Sequence, residues 1–149
     1  LDKVVRQGSG LDVDKKLYVE TIAHNNRQLQ PIIGKTQLKV GDKVVVRLTV
    51  RLDRTMDFIQ LKDQRAACLE PIEVLSGYRN VGDVGCYVAV KDASTDFFFD
   101  TLNKGTYVLE YSYRVDRAGS YETGIATIQS AYAPEYAAHS ASFRCNISQ

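Results

Sequence analysis

The sequence has no tryptophan, one methionine and three prolines, and no stretch of it approaches the roughly 18 consecutive apolar residues of a transmembrane helix. Neither sign of charge dominates, since 19 lysines and arginines against 18 aspartates and glutamates leave a formal net charge of +1. That balance gives no support to a nucleic-acid partner or to direct membrane insertion. The 149 residues, 44% hydrophobic and 25% charged, fit one ordinary globular domain.

Cysteine is scarce and odd in number. Cys68, Cys86 and Cys145 allow one disulfide at most and leave at least one thiol over. Their spacing matches no zinc pattern, and a buried free thiol is the commonest role for such residues. A pair formed with His24 or His139 stays open as a minor alternative, because cysteine and histidine partners meet in space rather than in sequence.

Sequence motifs for catalysis and nucleotide binding are also missing. The sequence contains no G-x-S-x-G, no G-x-G-x-x-G and no P-loop. Asp92, Ser94 and Asp96 alternate like the start of a calcium loop, but the glycine and the distant glutamate of such a loop are absent. We therefore predict a chain that is not an enzyme and that holds no metal and no cofactor.

Alternation of apolar and polar residues predicts the two clearest strands. The first is Lys43–Asp53 and the second is Thr106–Asp116. A period of two is that of a half-buried strand and would be scrambled on a helix. The apolar faces are Val44, Val46, Leu48, Val50 and Leu52 in the first strand, and Tyr107, Leu109, Tyr111, Tyr113 and Val115 in the second.

Turn residues separate the other strand candidates. Shorter strands are predicted at Met56–Leu61, Ile72–Leu75, Cys86–Val90, Asp96–Asp100 and Ala141–Cys145. Residues 11–23 predict two short strands broken at Asp14-Lys15-Lys16, and "HNNRQLQP" after them reads as a loop. The turn at Ala118-Gly119 predicts a hairpin between Thr106–Asp116 and Ser120–Tyr132. Eight or nine strands at this spacing predict an all-β, antiparallel β-sandwich of immunoglobulin or macroglobulin type over residues 11–149, with residues 1–10 as a linker or arriving segment.

Charged residues cluster after the first clear strand. Asp53, Arg54, Asp57, Asp63 and Arg65 place both signs close together. A carboxylate pair could serve acid–base chemistry, but a solvated face with surface ion pairs is the favoured interpretation.

The stretch "IQSAYAPEYAAHSAS" near the C-terminal end predicts a docking edge. Ala133-Pro134 is expected to end the preceding strand, because proline has no N–H to donate. Small alanines allow close approach of another backbone, and amphipathic tyrosine rings suit an interface. The predicted interdomain residues are Tyr132, Pro134, Glu135, Tyr136 and His139, with the alternative that both rings close the end of the core.

Four phrases together carry a family resemblance. They are "VGDKVVVRLTVRLDRTMDFIQLKD", "LKDQRAACLEPIEVLSGY", "DASTDFFFDTLNKGTYVLEYSYRV" and "GIATIQSAYAPEYAAHS". In this order, over residues 11–142, they resemble the last macroglobulin-like domain of bacterial alpha-2-macroglobulin family proteins, with the wording closest to Bacteroidetes-type chains.

The resemblance implies a role within a much larger protein. The family's members are exported protease traps of the periplasm or cell envelope, often lipid-anchored, in which a thioester in a separate helical domain captures the attacking protease. The resemblance implies that this domain packs beside the thioester domain and carries no catalytic residue, so its partners are other domains of the parent chain and, through the whole protein, proteases. The Pro71 that follows Cys68 by three residues has no side-chain amide, so no thioester can form there. The alternative is an Ig-like adhesion or carbohydrate-binding module of a bacterial surface protein.

Overall fold

The computed structural model describes residues 10–149, without Val74, Asp83 and the side chain of Pro134. Apart from Gly10, the linker predicted for residues 1–10 lies outside the described residues. Fourteen strands are found in the described part: β1 (Leu11–Ala23), β2 (Asn26–Pro31), β3 (Gln37–Lys39), β4 (Lys43–Leu52), β5 (Met56–Gln64), β6 (Leu69–Pro71), β7 (Gly77–Val81), β8 (Val84–Val90), β9 (Ser94–Leu102), β10 (Gly105–Val115), β11 (Gly119–Glu122), β12 (Ala126–Ser130), β13 (Ala133–His139) and β14 (Arg144–Ser148).

Two large sheets form the sandwich. The first has five strands in the order β2-β1-β4-β10-β6, and the second has six in the order β13-β12-β5-β9-β8-β7. A small third sheet, β11-β14-β3, lies where β4 begins and β10 ends, with Gly41 N donating to Val115 O at 2.8 Å. Every described pairing is antiparallel except that of β14 with β3. The predicted antiparallel β-sandwich is confirmed.

The core lies between the two large sheets, where the predicted alternation places it. The five apolar residues of β4 that share the predicted face are all buried, as are Leu109, Tyr113 and Val115 of β10. The opposing sheet contributes Ile59, Leu61 and Phe97, among others. Burying one such aliphatic side chain contributes about 1.5–3 kcal/mol, so the facing apolar stripes fix the sandwich.

The predicted hairpin between Thr106–Asp116 and Ser120–Tyr132 is wrong. β4 pairs with residues 105–114 of β10, and β6 occupies the other side of β10 at residues 113–115, where the predicted hairpin would begin. The chain after Gly119 therefore crosses away, with β11 pairing with β14 and β12 pairing with β5 and β13. A turn signal reports only a local reversal, while the strand partner is chosen by burial in the sheet.

The N-terminal predictions also need correction. Residues 11–23 form one continuous strand, and the expected charged break at Lys15 is an inward-facing position. The expected loop contains β2, joined to β1 by His24-Asn25, whose φ angles of 55° and 64° are those of a type I′ hairpin turn. Asparagine tolerates this left-handed region better than most residues.

Two shorter strand predictions are displaced along the chain. At Ile72–Leu75 the described residues form no strand, and Ile72 and Leu75 are exposed. The neighbouring strands are β6, which ends at Pro71, and β7, which begins at Gly77. The tail strand begins at Arg144 rather than at Ala141.

The outer face of the five-stranded sheet carries an ion-pair network. Glu110 accepts hydrogen bonds from Arg47 and Arg27, each at 2.8 Å, and Arg27 also donates to Glu20 at 2.7 Å. Burial raises the pKa of Glu110, but the hydrogen bonds from the two arginines outweigh it, so the pKa is lowered overall. Arg47 of β4 and Glu110 of β10 are thus paired across strands on this outer face, whereas Val45 on the same face is buried.

Candidate functional site

The predicted docking segment forms a free edge of the six-stranded sheet. β13 is the outermost strand and pairs only with β12 in the described sheet. The register shifts between Gln129 and Ser130, which oppose Ala137 and Ala133 respectively, so residues 134–136 form a bulge. The expectation that Pro134 ends the ladder is wrong, because the strand continues to His139. Since Pro134 lies in the bulge at an edge, its missing N–H removes no ladder hydrogen bond.

An exposed aromatic pair marks the start of this edge. Tyr132 lies in the turn between β12 and β13 and is 79% exposed. Its ring meets Phe58 of β5 edge-on, with centroids 5.0 Å apart, and Phe58 is itself 45% exposed. Phe58 has a φ of 54°, a conformation rare for a bulky residue, while its carbonyl accepts from Ala131 N at 2.8 Å. Strained backbone of this kind is concentrated at functional sites.

Arg54 lies over the ring of Tyr136. The guanidinium of Arg54 lies 5.2 Å from the ring centroid, and its Nη1 donates to the tyrosine hydroxyl at 3.3 Å. Arg54 also pairs with Asp53 at 2.8 Å, which lowers the pKa of that carboxyl. The ring is half-buried against the core, so Tyr136 contributes both to the core and to the edge.

The two remaining residues whose side chains are described face outward. Glu135 is exposed, and His139 is half-buried with its Nδ1 donating to Ser140 O at 3.0 Å. Ala138, the residue before His139, points into the core. The predicted residues therefore share one edge strand and its turn, but Tyr136 lies on the inner face whereas Glu135 and His139 lie on the outer one.

A buried ion pair between the sheets is the feature that the sequence patterns did not reveal. Lys15 of β1 and Asp63 of β5 are 4% and 0% exposed, and Lys15 Nζ lies 2.5 Å from Asp63 Oδ1. The other acceptors of Lys15 are the carbonyls of Gln64, Thr123 and Gly124 at 3.0, 3.2 and 3.3 Å. The interpretation of Asp63 as a solvated surface charge is wrong. The only sequence signal for this pair is that Lys15 and Asp63 each occupy an inward-facing position in the alternating pattern of its strand.

Tyrosines surround this pair. Tyr111 donates its hydroxyl to Asp63 Oδ2 and its ring packs on Phe97 at 5.1 Å. Burial, followed by the charge of Asp63, raises the pKa values of Tyr111 and Tyr113, so both hydroxyls stay protonated. Because four acceptors already surround the ammonium group of Lys15, this ion pair connects the two sheets and leaves no free amine to act as a nucleophile.

Ser94 and Asp96, two of the three residues that alternate like a calcium loop, are engaged by neighbours. Asp96 is fully buried and accepts from Ser94 Oγ at 2.9 Å, with Lys91 Nζ 2.9 Å from its other oxygen. Over the residues that the structure describes, no group of histidine, cysteine and acidic side chains could hold a metal ion. In the same residues no helix is long and apolar enough to cross a membrane.

Comparison with known proteins identifies the family of this chain. The sequence model of the bacterial alpha-2-macroglobulin MG10 domain family matches residues 10–135. The chain belongs to this family. The predicted family resemblance is therefore confirmed for the MG10 domain, while the Bacteroidetes-type origin stays a prediction.

Solved structures share the MG10 fold. The chain matches Salmonella alpha-2-macroglobulin reacted with methylamine with a TM-score of 0.73 at 19% identity, covering 100% of this chain and 10% of that one. It matches Escherichia coli alpha-2-macroglobulin activated by porcine elastase with a TM-score of 0.74 at 14% identity, covering 100% and 14%. It matches native Escherichia coli alpha-2-macroglobulin from domain MG7 to the C-terminus with a TM-score of 0.72 at 14% identity, covering 99% of this chain and 24% of that one.

At these identities the structural likeness shows the fold alone. This MG10 chain spans between 10% and 24% of the lengths of those three proteins. No curated protein matches the sequence.

Proposed function

We propose that this chain is a non-catalytic docking domain of a bacterial alpha-2-macroglobulin that inhibits proteases. The observation that carries the proposal is the family match over residues 10–135. The fold supports this proposal, because in the buried ion pair of Lys15 and Asp63 every N–H of the ammonium group already has an acceptor. The pair is therefore structural and not a reactive centre.

The docking surface is the edge formed by residues 131–139 and Phe58. An exposed edge strand invites pairing or aggregation unless it is covered, and this one carries the exposed aromatic pair Tyr132–Phe58. Aromatic rings beside small residues are typical of interface centres. The small side chains of Ala133 and Ala137 let another backbone approach closely.

The neighbour at this edge is the thioester domain of the parent chain. By covering the thioester domain, the MG10 domain helps to keep water from the reactive bond until a protease cuts the parent protein. The parent is exported, in the periplasm or at the cell envelope, and meets its target proteases as a whole protein.

The test compares two tyrosines on opposite edges of the same sheet in the full parent chain. Tyr132 is 79% exposed beside β13, and Tyr78 is 81% exposed on β7. Tyr132→Asp is expected to raise hydrogen exchange severalfold in residues 131–139 and in the surface that covers them, because it places a charge in a desolvated contact. Tyr78→Asp, the matched control, is expected to leave both unchanged.

Thiol release with methylamine reports on the thioester separately. Tyr132→Asp should accelerate that release, while Tyr78→Asp should not. If Tyr132→Asp changes exchange in another domain but not the release, the edge docks elsewhere and the thioester assignment is wrong. If it changes neither, the docking proposal fails.

One observation favours carbohydrate binding as a second candidate. Tyr78, Tyr87 and Phe98 form an aromatic row across β7, β8 and β9, with Tyr78 and Tyr87 centroids 5.0 Å apart. Exposed rings can stack on sugars, so this candidate expects polysaccharide binding that Tyr78→Ser abolishes and Tyr132→Ser preserves. Absence of binding in the unmodified chain would eliminate it.

A further inference from the structure

Two of the three cysteines meet at the corner where the small sheet joins the sandwich. Cys68 ends the turn before β6 and is 1% exposed, and Cys145 on β14 is 3% exposed. Both are free thiols in the structure. The third, Cys86, lies on β8 of the other large sheet.

Backbone hydrogen bonds bring both cysteines to this corner. Cys68 O accepts from Asp116 N at 2.8 Å, immediately after the end of β10. Cys145 lies opposite Tyr121 on β11, the strand that follows the same stretch of chain. Both side chains are buried in the same core cluster, and each thiol is the largest single influence on the pKa of the other, so the two thiols are neighbours. That proximity raises the pKa of Cys68 and lowers the pKa of Cys145, so Cys145 is the thiol that ionises first.

We propose that Cys68 and Cys145 are a disulfide-forming pair, and that Cys86 is the leftover free thiol. Proximity is the first demand of a disulfide, and these two thiols are neighbours in the core. The bond would tie the three-stranded sheet to β6, and so to the five-stranded sheet. It is independent of the docking edge, which lies on the other large sheet.

The chemistry needs a disulfide oxidant such as oxidised glutathione or a protein disulfide. The Cys145 thiolate attacks one sulfur of the oxidant, forming a mixed disulfide and releasing one thiol. Cys68, once deprotonated, attacks the Cys145 sulfur of that mixed disulfide and releases the second thiol. Two protein thiols are thus oxidised, one S–S bond forms, and the oxidant disulfide is reduced to two thiols.

The site suits a stable structural bond more than a labile one. Both sulfurs are buried in the apolar core, where reductants have little access. Between them the residues 69–144 become a closed loop, and long loops lose most unfolded-state entropy on cross-linking. An oxidising compartment would favour the bond, but the pairing itself rests on the fold and not on the proposed location.

The test is oxidative refolding of the chain in a glutathione buffer, which exposes all thiols to the oxidant before the fold selects a pair. Free thiols are then alkylated under denaturing conditions, and the peptides are mapped by mass spectrometry. We expect a linked Cys68–Cys145 peptide and an alkylated Cys86, and alkylation of all three after reduction. A linkage that contains Cys86, or three alkylated cysteines after oxidative refolding, would overturn the proposal.

Variants give a second readout. Oxidised Cys86→Ser should melt about 5–15 °C above its reduced form, from the usual disulfide contribution in a domain of this size. Cys145→Ser should show no such difference between oxidising and reducing buffer. Equal melting temperatures for the two forms of Cys86→Ser would contradict the proposal, even if mapping found some linked peptide.

Discussion

Replacing Lys15 by methionine should destabilise the protein by about 3–5 kcal/mol, the usual cost of leaving one member of a buried ion pair alone. The side chain of Asp63 is 0% exposed, and after the substitution only Tyr111 is left to donate to it among the contacts described above. Methionine keeps most of the lysine's apolar stem, so the loss is that of the ammonium group. We expect this cost because water cannot reach the carboxylate to replace it.

Part of this cost comes from the three carbonyl acceptors of Lys15. Each buried acceptor left without a partner costs about 1–3 kcal/mol at most, and Gln64, Thr123 and Gly124 all contribute one. Asp63→Leu should likewise cost about 3–5 kcal/mol, since it leaves the ammonium without its counter-charge.

The double substitution Lys15→Met with Asp63→Leu removes both charges from the core. It should lie within about 3 kcal/mol of the unmodified protein, because buried pairs are often replaceable by apolar residues at little net cost. The two single changes are then strongly non-additive, with a coupling of about 3 kcal/mol or more.

Equilibrium urea unfolding at pH 7, followed by circular dichroism, measures these free energies. Lys62→Met is the matched control, since Lys62 is the exposed lysine next to Asp63 on β5. We expect it to change stability by no more than about 0.5 kcal/mol. The reasoning is refuted if Lys15→Met costs less than about 1 kcal/mol or if the double substitution costs the sum of the single ones.

Three further predictions concern other parts of the sandwich. Gly124→Ala should destabilise the protein by at least about 2 kcal/mol, because at a φ of +86° the added Cβ would lie 2.4 Å from Gln64 O. Gly41→Ala should cost only about 1–2 kcal/mol, because its φ of +99° is strained but the added Cβ would meet nothing within 4 Å. Equal costs for the two substitutions in urea unfolding would contradict this. Because the pKa of Glu110 is lowered, its carboxylate contributes about 0.2–1 kcal/mol to stability above its ordinary pKa of 4.5. This contribution is lost as the pH falls through the lowered pKa, so in Glu110→Gln the free energy of unfolding should fall less steeply at acid pH. Burial raises the pKa of Cys86 to about 11, so its labelling by a disulfide reagent should be slow near pH 8 and accelerate as pH rises; fast, pH-independent labelling would disprove this burial.

Much of the strand pattern was predictable because it is local. The alternation in β4 and β10 is visible in the residues themselves, and the structure buries the faces that it predicts. Strand bounds at Met56, Asp96 and Cys86 were close for the same reason, since apolar runs bounded by turn residues are short-range signals.

The candidate edge was only partly predictable. The composition of residues 131–139 indicated an interface, and their place on an outermost strand agrees with that proposal. The inward tilt of Tyr136 and the contact of Tyr132 with Phe58 depend on the bulge and on a residue some 70 positions away in the chain, which no local pattern specifies.

Local patterning specified an all-β chain and the burial parity of its clearest strands, because side-chain direction in a strand follows directly from residue order. Partner choice was different. That β10 pairs with β4 and β6, that Lys15 finds Asp63 and that Cys68 meets Cys145 all depend on how two sheets stack. Such contacts join residues far apart in the chain, and their free energy exists only when the whole core excludes water, so only the folded sandwich selects them.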